Sequence, residues 1–328
     1  MRRSQLGVAL LIVLLMMALM TTVAVSMSSR MFMNFHRTEN FLHYQQAYWY
    51  AWSVESLARY SIAKNIKNKE TVTLHLPWTV QNKIYQLDDG QATSSISDRQ
   101  ACFNLNGLRD IKPQKNDTNP LLVTVLQQLI ESQGINSFEA ETAAASTWEY
   151  IDTNTNVQSP LGVEDSEYET RSLAHITPNN FIADISEWRA INGVSQEIFE
   201  KVSPFLCAIP SNALLINVNT LTEMDAPILS AIFYPNLNNH KAKRLINERN
   251  AIHGWKNIVS FMDEPILSNI KKEDRKRVQN FFAVHSRFFE LDTMITIDSA
   301  TLRMRALLIR DDNGTVTVIR RRFGGINA

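Results

Sequence analysis

Residues 1–22 read MRRSQLGVALLIVLLMMALMTT. Arg2 and Arg3 stand ahead of Gly7, and a long apolar run follows without an acid. From Val8 to Ser29 no side chain is charged. As a helix that run is about 33 Å long, enough to cross a bilayer. The two arginines favour a cytoplasmic start to the chain. A cleaved secretory signal is the alternative, because Ala24 and Ser26 offer a small-x-small site.

The helical pattern continues past the apolar run. No Gly or Pro occurs between Val8 and Ala63. Ala47, Ala51, Val54, Ala58 and Ile62 recur at three- and four-residue spacing, which makes a buried stripe. His36, Arg37, Glu39, Glu55 and Arg59 read as polar positions off that stripe. One helix is predicted from about residue 8 to 66, roughly 90 Å long. Its first part is apolar all round and its second part amphipathic. An anchor fused rigidly to a domain is unusual for a simple tether and ordinary for a filament subunit.

Bulk properties narrow the classes. The 328 residues carry 33 basic and 33 acidic side chains, so no global field attracts nucleic acid. An apolar fraction of 45% with 9% aromatics suits a folded protein. The two cysteines, Cys102 and Cys207, lack metal-ligand spacing. In an oxidising compartment they form one bridge, and in the cytosol they stay buried thiols.

The basic leader, Gly7, the apolar helix start and its amphipathic continuation resemble a type IV pilin-like precursor. The resemblance implies cleavage by a prepilin peptidase after Gly7, with Val8 as the first mature residue, a position that is N-methylated in the family. Most such subunits carry glutamate at the fifth mature position, where this chain has Ile12. That departure is similar to the K-type minor pseudopilin of type II secretion systems, the large tip subunit. A carboxylate in a membrane or filament core costs several kcal/mol unless paired. In pilin-like filaments it is thought to pair with the N-terminal amine of a neighbouring subunit. A subunit with none above it has no amine to neutralise, so Ile12 suits the first position of a fibre. The bland alternative is one more apolar anchor residue.

Further along, residues 71–76 (TVTLHL) and 84–87 (IYQL) alternate like strands, with a loop between them and turn-rich DDGQATS after them. SISDRQACFNLNGL is similar to a signature stretch of the K-type family, and its Asn104 and Asn106 read as structural. LLVTVLQQLIES and FEAETAAASTWEYID fit helical periodicity. Strand patterns return in RFFELDTMITI, LRMRALLIR and TVTVIRRRF, the last two joined by the hairpin signal DDNG. The expected fold is α+β, a type IV pilin-like fold with the long N-terminal helix packed on a small antiparallel sheet. A large all-α domain is inserted into it. The expected units are a leader (1–7), a membrane-spanning part (8–29), a first pilin-like part (30–106), the helical insertion (107–285) and C-terminal strands (286–328). A Cys102–Cys207 bridge would clip the insertion back onto its host.

WEYIDTNTNVQSPLGVEDSEYETR, from Trp148, is the internal stretch richest in hard oxygen donors, the ligands Ca²⁺ takes. Asp152, Asn154 and Asn156 open like a calcium loop. Val157 and Val163 then stand where an EF-hand needs Gly and Glu. The K-type family resembles a calcium binder here, with a W-I-D start and a G-x-E-D continuation. Ile151, Asp152, Gly162, Glu164 and Asp165 match it, and Tyr150 replaces the usual tryptophan. The expected ligands of a structural Ca²⁺ are Asp152, Asn154, Asn156, Glu164 and Asp165. The competing reading is a solvated Asx-rich turn. Asp184 is a weaker ligand candidate that equally suits a helix cap near Ser186.

Three later stretches look like helix-hairpin-helix pieces, but only Gly193 is present in the first hairpin and none in PNLNNHK. The basic run Lys241, Lys243, Arg244 and Arg249 suits a solvated helix face, so nucleic acid is not an expected partner. No metal-binding histidine pair, nucleophile elbow, P-loop or dinucleotide fingerprint occurs, and no enzyme activity is expected. The reading is a minor pseudopilin of the bacterial inner membrane, single-pass, with a periplasmic body. Its implied partners are the I-type and J-type minor pseudopilins and other pseudopilins, joined in a tip complex that initiates and caps the fibre. The alternative is a membrane-tethered periplasmic binding or adhesion protein.

Overall fold

A run of 59 residues without Gly or Pro, Val8 to Ile66, dictates the first element. The computed structural model describes residues 6–66, 71–112, 119–251 and 253–324. Residues 1–5 of the expected leader lie outside them. Helix α1, Leu6–Ile66, is unbroken over 61 residues. Val8 through Phe35 leave their large apolar side chains exposed. Among the described residues this is the one helix long and apolar enough to span a membrane. Ala47, Ala51, Val54, Ala58, Ile62 and Ile66 are buried against a sheet.

The strands, in chain order, are β1 (Lys83–Leu87), β2 (Gly90–Asp98), β3 (Phe103–Asn104), β4 (Leu206–Cys207), β5 (Ile216–Asn217), β6 (Phe282–Ala283), β7 (Phe288–Ile297), β8 (Ala300–Arg310) and β9 (Val316–Phe323). The main sheet is antiparallel with order β1-β2-β7-β8-β9. Between β2 and β7 lie helices α2 (Leu121–Glu131), α3 (Ser137–Ile151), α4 (Asp165–Tyr168), α5 (Gln196–Val202), α6 (Ala226–Ile232), α7 (Asn239–Ala251), α8 (Ile258–Met262) and α9 (Lys272–Val278). The architecture is therefore a pilin-like helix and sheet with a helical insertion. One apolar core joins α1 to the sheet; a second runs from Phe103 to Val284. Phe103 and Leu105, expected in the first pilin-like part, are core residues of the insertion.

The predicted strand at 71–76 does not form. Its alternation reflects two anchors instead, because Val72 and Leu76 are buried while the segment turns. Val72 donates its N–H to the Val284 carbonyl (2.8 Å), outside the main sheet. DDG makes the tight β1–β2 turn and QATS is already strand. At Gly90 a Cβ would lie 2.1 Å from the Thr296 carbonyl oxygen, so that sheet approach requires glycine.

Glu55 is not off the buried stripe. It sits one turn after Ala51, is 2% exposed, and accepts two bonds from Arg321 on β9, Nε at 2.5 Å and a terminal nitrogen at 2.9 Å. A register shift at Leu307/Leu308 sets this pairing. Val316 and Val318 meet the helix-facing core before it, and Arg321 faces α1 after it. One extra residue moves the alternation to the other parity, which sends Arg320 and Arg322 to the opposite face. Arg321→Ala would leave a buried carboxylate unpaired. The expected loss is about 2 kcal/mol in urea unfolding, below the fully buried case because Arg321 is partly exposed. An unchanged midpoint would show the pair to be idle.

The root of the insertion is tied by polar groups. Asp98 accepts bonds from the Ser286 hydroxyl (2.5 Å), the Thr220 hydroxyl (2.6 Å), Asn217 Nδ2 (3.2 Å) and the Gln100 N–H (2.8 Å). Burial pushes its pKa up against these bonds. Asn104 and Asn106 are buried and bond to the backbone of Ser211, Ile209 and Ile182. Cys102 and Cys207 form a disulfide, with Cα atoms 5.9 Å apart, beside the parallel β3–β4 pair.

Candidate metal centre

Helix α3 is capped at its start by Asn136, whose side chain accepts the Glu139 N–H, and at its end by Asp152, whose N–H still bonds to the Trp148 carbonyl. Glu149 and Asp152 are three residues apart, so one helix face carries both carboxylates. The following loop winds on Asx turns. Asn154 N–H donates to Asp152 Oδ1 (3.1 Å), and Asn156 N–H donates to Asn154 Oδ1 (2.9 Å). The chain then doubles back through Pro160 and Gly162 to Glu164. A Cβ on Gly162 would lie 2.5 Å from Glu149 Cγ, so only glycine lets the loop close over this carboxylate.

The result is a cluster of three carboxylates. Glu149, Asp152 and Glu164 each offer an oxygen within 4.8 Å of the others. They are 0%, 2% and 4% exposed. Glu149 Oε1 accepts the N–H groups of Gln158 (2.7 Å) and Ser159 (2.8 Å). Asp152 Oδ2 accepts from the side-chain amides of Asn154 (2.7 Å) and Gln158. The Thr177 hydroxyl reaches Glu164 Oε2 at 3.2 Å. Glu149 Oε2 and Glu164 Oε1 are buried without a hydrogen-bond partner among the described residues. Burial first, then the Asp152 charge beside it, pushes each of Glu149 and Glu164 up to about 7. Burial raises Asp152 as well.

Like charges this close and dry need protons or a cation. The donors are all hard oxygen, two of them orphaned, which suits Ca²⁺ and not a thiolate- or imidazole-seeking metal. Glu149 was absent from the sequence-based ligand set. Its spacing of three residues from Asp152 on one helical turn is the sequence signal for that pair; only the loop closure at Gly162 brings Glu164 to it. Asp165 does not join the three carboxylates. Its Oδ1 accepts the Thr177 hydroxyl (2.6 Å) and N–H (2.8 Å), which hold its pKa down. Asn154 spends its side chain on Asp152 and Asn156, and Asn156 is exposed.

Other candidates find structural uses. Asp184 caps Ser186 N–H (3.1 Å) and pairs with Arg320 (3.4 Å) and Arg322. Burial alone would raise its pKa, but the Ser186 N–H and Arg322 outweigh it. In the basic run, Arg249 is 5% exposed and donates to the Val218 and Leu221 carbonyls, so it is not part of a basic surface.

An apolar helix long enough to span a membrane, continuing into a helix-on-sheet body with a helical insertion, defines a pilin-like subunit. The family model described as type II secretion system (T2SS), protein K matches residues 101–211 and 216–284. The type II secretion system protein K of Pectobacterium carotovorum is 32% identical over 99% of this chain and 98% of its own length. That of Aeromonas hydrophila is 30% identical, over 98% of each chain. The crystal structure of the GspK-GspI-GspJ complex from the enterotoxigenic Escherichia coli type 2 secretion system matches with TM-score 0.82 and 35% identity. That match covers 88% of this chain and 99% of that one. The chain belongs to the type II secretion system protein K family.

Proposed function

We propose that this chain initiates and caps the pseudopilus as the tip subunit, in a complex with the I-type and J-type minor pseudopilins. The observation that carries the reading is the unbroken α1, which runs from an acid-free apolar segment into the sheet-packed body. In the proposed fibre, α1 packs against partner helices, and Ile12 takes the place of a carboxylate that would have no amine to meet. The solved relative's assembly with GspI and GspJ supports this choice of partners. Its role is assembly and not catalysis. The segment from Val8 crosses the bacterial inner membrane with the body in the periplasm, an orientation set by Arg2 and Arg3.

Glu149, Asp152 and Glu164 hold a structural Ca²⁺ that neutralises them and stiffens a loop lacking regular structure. Prepilin peptidase cuts after Gly7. Intact-mass analysis of the membrane-extracted protein is expected to give a chain starting at Val8, one methyl group heavier. The mature protein should co-purify with the I-type and J-type subunits. A start at Met1 or near Met27 would sink the pseudopilin reading.

A further inference from the structure

The sheet face turned away from α1 forms, with the insertion, a cleft of about 450 Å³. Five arginines line it: Arg99 after β2, Arg189 in the 3-10 turn Ile185–Ala190, Arg305 on β8, and Arg320 and Arg322 on β9. The acids on its walls are Asp184 and Glu290, so positive charge is in excess by three (five less two). Asp184 occupies Arg320 and Arg322, while Glu290 lies 3.9 Å from Arg99.

Arg305 and Arg189 have no carboxylate within ion-pair distance among the described residues. Arg305 faces Asp292 across the β7–β8 ladder, but Arg303 holds that acid with two bonds, at 2.9 and 2.6 Å. On its other side Arg305 faces Arg322 directly. Like charges opposite each other in a ladder are destabilising. Arg189 lies over the Phe199 ring, 5.1 Å from its centroid. Its Nε also donates to the Ser186 carbonyl (3.3 Å), but neither contact supplies a negative charge, and an incoming anion would offset the charge of both arginines.

We propose that this cleft binds an acidic peptide segment of a protein partner. The guanidinium forks match carboxylates in two-point geometry, and the chain's own Asp184 already shows a carboxylate held by two of them. Phe199, Pro204 and Leu307 supply apolar walls for neighbouring side chains. The volume falls in the range of ordinary ligand sites, about 300–1,000 Å³. The insertion and the sheet both contribute, so the site exists only where the two units meet. It depends on neither calcium nor the tip assignment.

The test uses the full chain in a non-ionic detergent and a fluorescein-labelled hexaglutamate peptide, read by fluorescence polarisation. Saturable binding that weakens with added salt is expected. Arg305→Glu and the exposed Arg189→Gln should each weaken it about tenfold or more. Thermal melting identifies any variant that fails to fold, and Arg189→Gln, at the surface, keeps the comparison sound. No saturable binding to the parent chain overturns the proposal, as does equal binding by both variants. Displacement by inorganic phosphate at equal concentration also overturns it, in favour of a phosphate site.

Discussion

At pH 7.5, adding EGTA to the purified protein is expected to lower its melting temperature by about 5–10 °C. Calcium at a hundredfold excess over its dissociation constant stabilises by about 2.7 kcal/mol, and each kcal/mol moves a domain of this size by about 2–4 °C. The cause is the three buried carboxylates, which without a cation must hold protons or repel. The pH dependence in EGTA has a definite sign. Glu149 and Glu164 rise from 4.5 to about 7 on folding, so between those values the folded chain binds protons the unfolded chain does not. Stability is then full near pH 4.5 and is lost as pH rises through about 7. On the proposed calcium site, added calcium is expected to replace those protons and remove the slope. Glu149→Gln keeps an acceptor oxygen and drops one charge. It should blunt the calcium response and flatten the pH profile in chelator. No chelator effect in the parent chain, with Asp152→Ala also silent, would remove the metal from the account.

Replacing both Cys102 and Cys207 with serine is expected to cost roughly 3–4 kcal/mol and about 10 °C. The bridge spans 105 residues. In the chain-entropy model, closing a loop of about 100 residues is worth up to ~4.7 kcal/mol. The loss should exceed that of Arg321→Ala, because the bridge restrains nearly the whole insertion in the unfolded state. The bridge joins the segment just after β2 to β4, beside the Asp98 network that fastens the same junction. Urea unfolding of the double variant against the oxidised parent measures it. Coincident midpoints would mean that the Asp98 network and the two cores hold the root without the bridge. Non-reducing peptide mapping of the parent checks the pairing.

Residue by residue, legibility followed sequence distance. Ala47 to Ile62 were readable as a buried stripe because a helix repeats every 3.6 residues. The β7 to β9 strands were readable from alternation and from the DDNG turn. TVTLHL misled because two buried anchors in a turning segment mimic the period of a strand. Glu55 reads as an exposed polar position because the partner that lets it be buried, Arg321, stands 266 residues away. The Glu149–Asp152 pair is legible from its three-residue spacing, but the approach of Glu164 to both is not, because the loop must close at Gly162 first.

The sequence by itself determined the membrane-length apolar segment, the single long helix, the strand-bounded insertion and the pair of cysteines available to bridge. Each is a property of consecutive residues: apolar run length, helical period, turn chemistry and residue count. Only the tertiary structure decided that Glu55 faces Arg321, that three acids share a dry pocket, and that five arginines line one cleft. Which arginine of TVTVIRRRF points where depends on one extra residue in a strand pairing. That register is set by packing across the sheet, and no local pattern in the strand records it.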